Sequence, residues 1–168
     1  MSKILVTYFT QTGNTQKIAA AIHSSIEVEA EIKPIKETGD VSRYDLIFIG
    51  FPVHAHSIPY PVKQFIESIP ADKNIAFFST HGALTGSRLA REALEYATTL
   101  AVGKKIIGTF ACRGKVSFQA LEALSKSPEH QAWVDMAHSA RTHPDANDIA
   151  EAKAFAGWTL TLLHQGQR

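Results

Sequence analysis

Apolar residues fall along this chain in short bursts separated by stretches of helical period. Ile4-Leu5-Val6-Thr7-Tyr8-Phe9, Leu46-Ile47-Phe48-Ile49-Gly50-Phe51, Ile75-Ala76-Phe77-Phe78 and Ile106-Ile107-Gly108-Thr109-Phe110-Ala111 are nearly continuous apolar runs. Runs of this length with little alternation predict strands covered on both faces, as in a parallel sheet. Val28-Glu29-Ala30-Glu31-Ile32-Lys33 alternates strictly, which predicts a half-exposed strand at a sheet edge. Between the runs the period changes. Ile18, Ile22 and Ile26 recur at helical spacing, and Val62, Phe65, Ile66 and Ile69 do so behind a helix-opening Pro61. Leu89, Ala93, Ala97 and Leu100 form a further stripe. Ile149, Ala152, Ala156, Thr159 and Leu163 form the last, entered through Asn147 or Asp148 as a cap. This alternation predicts an α/β fold with right-handed crossovers. Five strands with the second at an edge fit a doubly wound parallel sheet of order 2-1-3-4-5.

Two segments break the rhythm. Lys36 to Tyr44 is short for a full crossover helix and predicts a turn or a stub of helix. Residues 113–143 form an extra helical stretch between the fifth strand and the last helix. Within it, Ser127-Pro128-Glu129 reads as an N-cap, a first-position proline and a first-turn acid. Trp133, Met136 and Ala140 continue a stripe behind it and read as core or lid packing. One domain spanning 1–168, with an insertion at about 113–143, accommodates all of this.

Composition narrows the function. Lys and Arg number 17 against 16 Asp and Glu, a formal net charge of +1. That balance argues against a nucleic-acid partner, which would normally require a basic excess, and against a polybasic membrane-surface protein. No apolar run approaches the ~18 residues of a membrane span. The single cysteine, Cys112, excludes an internal disulfide framework and a Cys-rich zinc site; burial as a small packed residue is its expected role. A cytoplasmic location is expected.

In a doubly wound sheet, ligands sit beyond the carboxyl ends of the strands at the topological switch point. After Phe9 comes Thr10-Gln11-Thr12-Gly13-Asn14-Thr15, running straight into a helix. The hydroxyls of Thr10, Thr12 and Thr15, the Asn14 amide and successive backbone N–H groups are donors able to surround a phosphate at a helix N-terminus. A capped turn that binds nothing has the same spacing. The second loop is Pro52-Val53-His54-Ala55-His56-Ser57-Ile58-Pro59, and the third is Ser79-Thr80-His81-Gly82-Ala83-Leu84-Thr85-Gly86. His54, His56 and His81 have no carboxylate or cysteine at ligand spacing, so no metal is expected.

Thr10-x-Thr12-Gly13-Asn14-Thr15 behind a buried first strand, Tyr44-Asp45 before the third and Gly50-Phe51-Pro52 at its end together resemble the flavodoxin family. The strand–helix order is similar along nearly the whole chain. The resemblance implies a flavodoxin-like fold, bound FMN and electron transfer. It implies that Thr10 to Thr15 hold the phosphate and that Pro52, Val53, His54, Ala55, Ser79, Thr80, His81 and Gly82 meet the isoalloxazine ring. The chain departs from the familiar pattern in three respects. The second and third loops lack the Trp and Tyr that usually stack on the ring, the surface is not strongly acidic, and 113–143 is additional.

The function expected from these readings is that of an FMN-binding redox protein passing electrons between protein partners, a reductase and an electron acceptor. The alternative is an FMN-dependent oxidoreductase reducing a small acceptor such as a quinone. Neither needs a catalytic acid or nucleophile from the protein, since the flavin carries the chemistry. Monomer and homodimer remain equally compatible.

Overall fold

A computed structural model describes residues 1–166; 167 and 168, the end of the expected domain span, lie outside it. Five strands, β1 (Ile4–Tyr8), β2 (Ala30–Pro34), β3 (Leu46–Pro52), β4 (Asn74–His81) and β5 (Lys105–Arg113), form one parallel sheet. Its order is β2-β1-β3-β4-β5, as the sequence pattern predicts. The helices are α1 (Asn14–Ser24), α2 (Tyr60–Ser68), α3 (Arg88–Leu100), α4 (Phe118–Ser125), α5 (Gln131–His138) and α6 (Ala146–Gly166).

The continuous apolar runs are explained by two cores, one on each face of the sheet. Leu5, Ile47, Ile49, Phe51, Ile75 and Phe77 pack against Val62, Phe65 and Ile66 of α2 and Ala93 and Ala97 of α3. Their strand neighbours Ile4, Val6, Leu46, Phe48, Ala76 and Phe78 pack against Ile18, Ala19 and Ile22 of α1 and Ala152, Ala156 and Leu163 of α6. Side chains alternate between faces with period 2, so a strand buried on both sides reads as a nearly continuous apolar run.

The edges differ. β2 is half-buried throughout and carries a lattice of charge: Lys3 meets Glu29 at 2.6 Å, and Glu31 meets Lys33 at 2.5 Å and Arg43 at 2.9 Å. Lys33, followed by other donors, holds the Glu31 carboxyl down to about 2. β5 is the other edge, and Lys105 and Thr109 are exposed. Its continuous apolar run therefore overstated its coverage: β5 is an edge, with no strand beyond it among the described residues. The β2–β3 connection has only a 3-10 turn, Ile35–Glu37, in place of a crossover helix.

Three boundaries differ from the sequence reading. The cap of α6 is Asp145 rather than Asn147 or Asp148. Its carboxylate accepts from the Asp148 N–H at 3.0 Å, and the Asp148 carboxylate accepts from the Asp145 N–H at 2.8 Å, a reciprocal capping box. Residues 113–143 hold the extra helical segment expected after the fifth strand, but it comprises two helices. In α4 the Ser117 side chain accepts from the Ala120 N–H at 3.2 Å. Ser127 precedes a 3-10 turn, Pro128–His130, with no side-chain cap, and α5 follows. Ser79, Thr80 and His81 belong to β4 rather than to a loop. They pair with Ala111, Cys112 and Arg113 of β5, which also outlasts its apolar run.

Candidate functional site

The carboxyl ends of β1, β3 and β4 meet at one edge of the sheet, and the ladder continues past them. Phe9 N–H donates to Gly50 O at 3.0 Å, Val53 N–H to Thr80 O at 2.9 Å and Gly114 N–H to His81 O at 2.8 Å. The roots of the three candidate loops are therefore fixed to one another by the sheet.

At the first loop, Gly13 has φ +92°, a backbone conformation that favours glycine. Its N–H donates to Thr10 Oγ1 at 3.0 Å. The first intrahelical bond of α1 runs from Lys17 N–H to Gly13 O at 3.0 Å. The N–H groups of Asn14, Thr15 and Gln16 thus have no acceptor within the helix. No side chain caps them, and the first turn carries no acid. An anion is the group that fits such a terminus. Gln11 and Thr12 are exposed beside it. Two of the expected donors have other partners. The Asn14 amide donates to Lys115 O at 2.8 Å, and Thr15 Oγ1 lies 2.9 Å from Thr80 Oγ1. The Thr15–Thr80 pair is buried and ties the first loop to the end of β4.

The second loop folds into a two-residue hairpin. His54 and Ser57 exchange both backbone hydrogen bonds at 2.9 Å, with Ala55 at φ 47° and His56 at φ 65°. Positive φ at both central residues is the pattern of a type I′ turn. His54, Ala55 and His56 are exposed and Pro52 and Val53 half-buried.

Between this hairpin and the end of β4 lies a cavity of about 350 Å3, lined by Val53, Ala55, His56, His81, Gly82 and Ala83. Val53, Ala55, His81 and Gly82 were expected at a ring site and are brought together here. Pro52, His54, Ser79 and Thr80 do not line the cavity; Ser79 and Thr80 are buried in the sheet. His81 is buried, with Nδ1 3.1 Å from Ala83 O. Burial, countered in part by that carbonyl, lowers its pKa below the usual 6.5. The neutral ring then donates from Nδ1 and leaves Nε2 as an acceptor.

The rest of the lining lies outside the predicted set: His56, Ala83, Leu89, Leu124, His130 and Trp133. Leu124, His130 and Trp133 come from the segment between β5 and α6. A signal was present, an aromatic in an additional helix, but nothing in sequence spacing links position 133 to position 82. Cys112 is buried as expected, and burial, aided by nearby carboxylates, pushes its thiol up to about 12. A wider groove of about 810 Å3 lies on the other side of the first loop, among Phe9, Ile35, Pro61 and Phe65, alongside the 3-10 turn that replaces a crossover helix. His143, Asp145 and Asp148 also cluster, with His143 Nδ1 2.6 Å from Asp148 Oδ2; both carboxylates there are engaged in capping α6.

A doubly wound α/β protein with an anion-ready helix terminus beside a ring-sized cavity is a nucleotide-type cofactor binder by architecture. The comparison with known proteins is specific: a Flavodoxin domain family profile matches residues 5–157, and the chain belongs to that family. The flavodoxin-like domain-containing protein BilS of Clostridioides difficile (strain CD3) is 32% identical over 166 residues, covering 92% of this chain and 94% of that protein. Oxidised flavodoxin 2 from Bacillus cereus superposes with a TM-score of 0.64 at 20% identity, covering 95% of this chain and 99% of that one. A flavoprotein from Lactobacillus acidophilus NCFM, solved in complex with FMN, gives a TM-score of 0.55 at 21% identity over 66% of this chain and 93% of that one. These structural likenesses show the flavodoxin fold. Among the described residues, no helix is long and apolar enough to cross a membrane.

Proposed function

We propose that this protein binds FMN along the carboxyl edge of its sheet and passes electrons between protein partners, a reductase and an electron acceptor. The observation that carries the reading is the uncapped α1 N-terminus behind Thr10 to Thr15, tied through Thr15 and Thr80 to the cavity at His81 and Gly82. The free N–H groups of Asn14, Thr15 and Gln16, with the exposed Thr12 hydroxyl, take the phosphate. Val53, Ala55, His81 and Gly82 take the ring, and His81 presents an acceptor to it from Nε2. The flavin, when bound, supplies the redox chemistry. The protein positions it and limits water at its edge. A lone, buried Cys112 supports a reducing, cytoplasmic setting.

One observation favours a second reading, reduction of a small acceptor such as a quinone. Leu124, His130 and Trp133 of the additional segment line the ring cavity, which supports a pocket that takes a small molecule.

Titration with FMN and with riboflavin tests the cofactor. Thr12→Ala removes one charge-assisted hydrogen bond of about 1.5–3 kcal/mol, so FMN should bind about 10- to 100-fold more weakly while riboflavin is unaffected. Equal loss for both ligands refutes the phosphate assignment. The reduced, FMN-loaded protein is then mixed with cytochrome c and, separately, with menadione. Faster oxidation by the quinone selects the second reading.

A further inference from the structure

The second and third loops contain no Phe, Tyr or Trp between Pro52 and Pro59 or between Ser79 and Gly86. A flavin ring held there meets the imidazoles of His56 and His81 but no Phe, Tyr or Trp from either loop. We infer that helix α5 supplies one, and that Trp133 stacks against the isoalloxazine ring from the insertion side. The inference rests on the FMN reading above.

Trp133 is half-buried and lines the same cavity as Val53 and Ala55, together with Leu124 and His130. The helix that carries it is tied to the sheet edge. Arg113, the last residue of β5, donates from Nε to Ala83 O at 2.9 Å and from Nη2 to Met136 O at 3.0 Å and Ser139 Oγ at 2.7 Å. One guanidinium thereby fastens the third loop to the carboxyl end of α5. Gly82 then allows close approach: a Cβ there would lie 2.3 Å from Val116 Cγ2 and 3.9 Å from Ala137 Cβ. Ala137 is fully buried and lies one helical turn after Trp133, so both share a face of α5. The helix that rests Ala137 on Gly82 therefore turns Trp133 toward the cavity. At the other end of the insertion, Lys115 O is held by the Asn14 amide. The wall is joined to both the phosphate end and the ring end of the edge.

The other tryptophan, Trp158 on α6, is 62% exposed and lines neither cavity. It serves as the control. FMN and riboflavin affinities are measured by calorimetry for the unmodified protein and for Trp133→Phe, Trp133→Ala and Trp158→Phe, together with the emission of the bound flavin. An indole in contact quenches excited flavin by electron donation. Trp133→Ala should weaken both flavins by the same factor, about two- to tenfold, because the lost contact is to the ring and not to the phosphate. Trp133→Phe should bind nearly as tightly, yet its bound flavin should emit more strongly. Trp158→Phe should change neither property. If the unmodified protein binds FMN and the emission of Trp133→Phe is unchanged, the stacking inference is overturned and the FMN reading stands. If Trp133→Ala fails to fold, the emission of Trp133→Phe decides. If the unmodified protein binds neither flavin, both fall.

Discussion

The hairpin at Ala55 and His56 offers a test of sign as well as size. Both residues lie at positive φ, 47° and 65°, where an L-residue with a side chain loses about 1–2 kcal/mol. Glycine removes that loss but gives up about 0.5–1 kcal/mol through the freedom of its unfolded chain. Ala55→Gly should therefore stabilise by about 0.5–1 kcal/mol. For a domain of this size, 1 kcal/mol corresponds to about 2–4 °C, so the melting temperature should rise by about 1–4 °C. The assay is thermal denaturation of flavin-free protein, which keeps ligand contacts out of the comparison. Ala154→Gly is the matched control: Ala154 is exposed in the interior of α6, where the same substitution costs about 1 kcal/mol. Two removals of the same methyl group should move stability in opposite directions. His56→Gly should also stabilise, but adjacent residues need not add. If Ala55→Gly and Ala154→Gly lower the melting temperature alike, Ala55 does not hold a positive φ in solution and the argument from turn geometry is wrong.

Three further outcomes follow from the site. Gly82→Ala should destabilise by about 1–3 kcal/mol through overpacking against the stiff Val116, and adding Val116→Ala should restore much of the loss; a melt unchanged in the single variant would mean that the insertion does not press on the third loop. His81 is held neutral by burial, so the unfolded chain takes up its proton first as pH falls. Its contribution is present above the unfolded value near 6.5 and is lost as pH drops below it toward the lower folded value; denaturant titrations should show the unmodified protein losing stability more steeply than His81→Gln across that window, and parallel profiles would refute this. Arg113→Ala removes charge-assisted hydrogen bonds to Ala83 O, Met136 O and Ser139 Oγ, each of about 1.5–3 kcal/mol, while His81 and Ser139 still donate to the two carbonyls; it should speed proteolytic cleavage within residues 117–139 while the sheet persists, and an unchanged cleavage rate would show that the guanidinium does not hold the wall.

The sheet was legible because burial on both faces leaves β1 and β3 almost wholly apolar, Thr7 excepted, a constraint visible without a partner. The first loop was legible for a related reason: Gly13 and its hydroxyl neighbours are local chemistry at a helix start. Helix α4 was not legible. It buries no residue, and Phe118 is 76% exposed, so its apolar positions trace no stripe. Ser79 to His81 read as a loop because they are polar, yet pairing with β5 keeps them extended and buried. Asp145 was missed as a cap because Asp145, Asn147 and Asp148 all carry suitable oxygens, and only the backbone path chooses among them. Trp133 is the clearest non-local case. Its role at the cavity depends on Arg113 and Gly82, which lie 20 and 51 positions earlier in the sequence, and spacing carries no record of that meeting.

The missing crossover helix between β2 and β3 has a dynamic consequence. β2 is half-buried along its length and pairs only with β1, while its outer charges are bound through screened surface contacts. Peeling it away exposes little apolar surface, so amide exchange should begin along this margin through small openings, with β1, β3, β4 and β5 still in register. The three loops at the carboxyl edge hang from that four-strand frame. The chain thus separates a fraying margin, which can breathe and accept sequence change, from the frame that sets the distances at its cofactor edge.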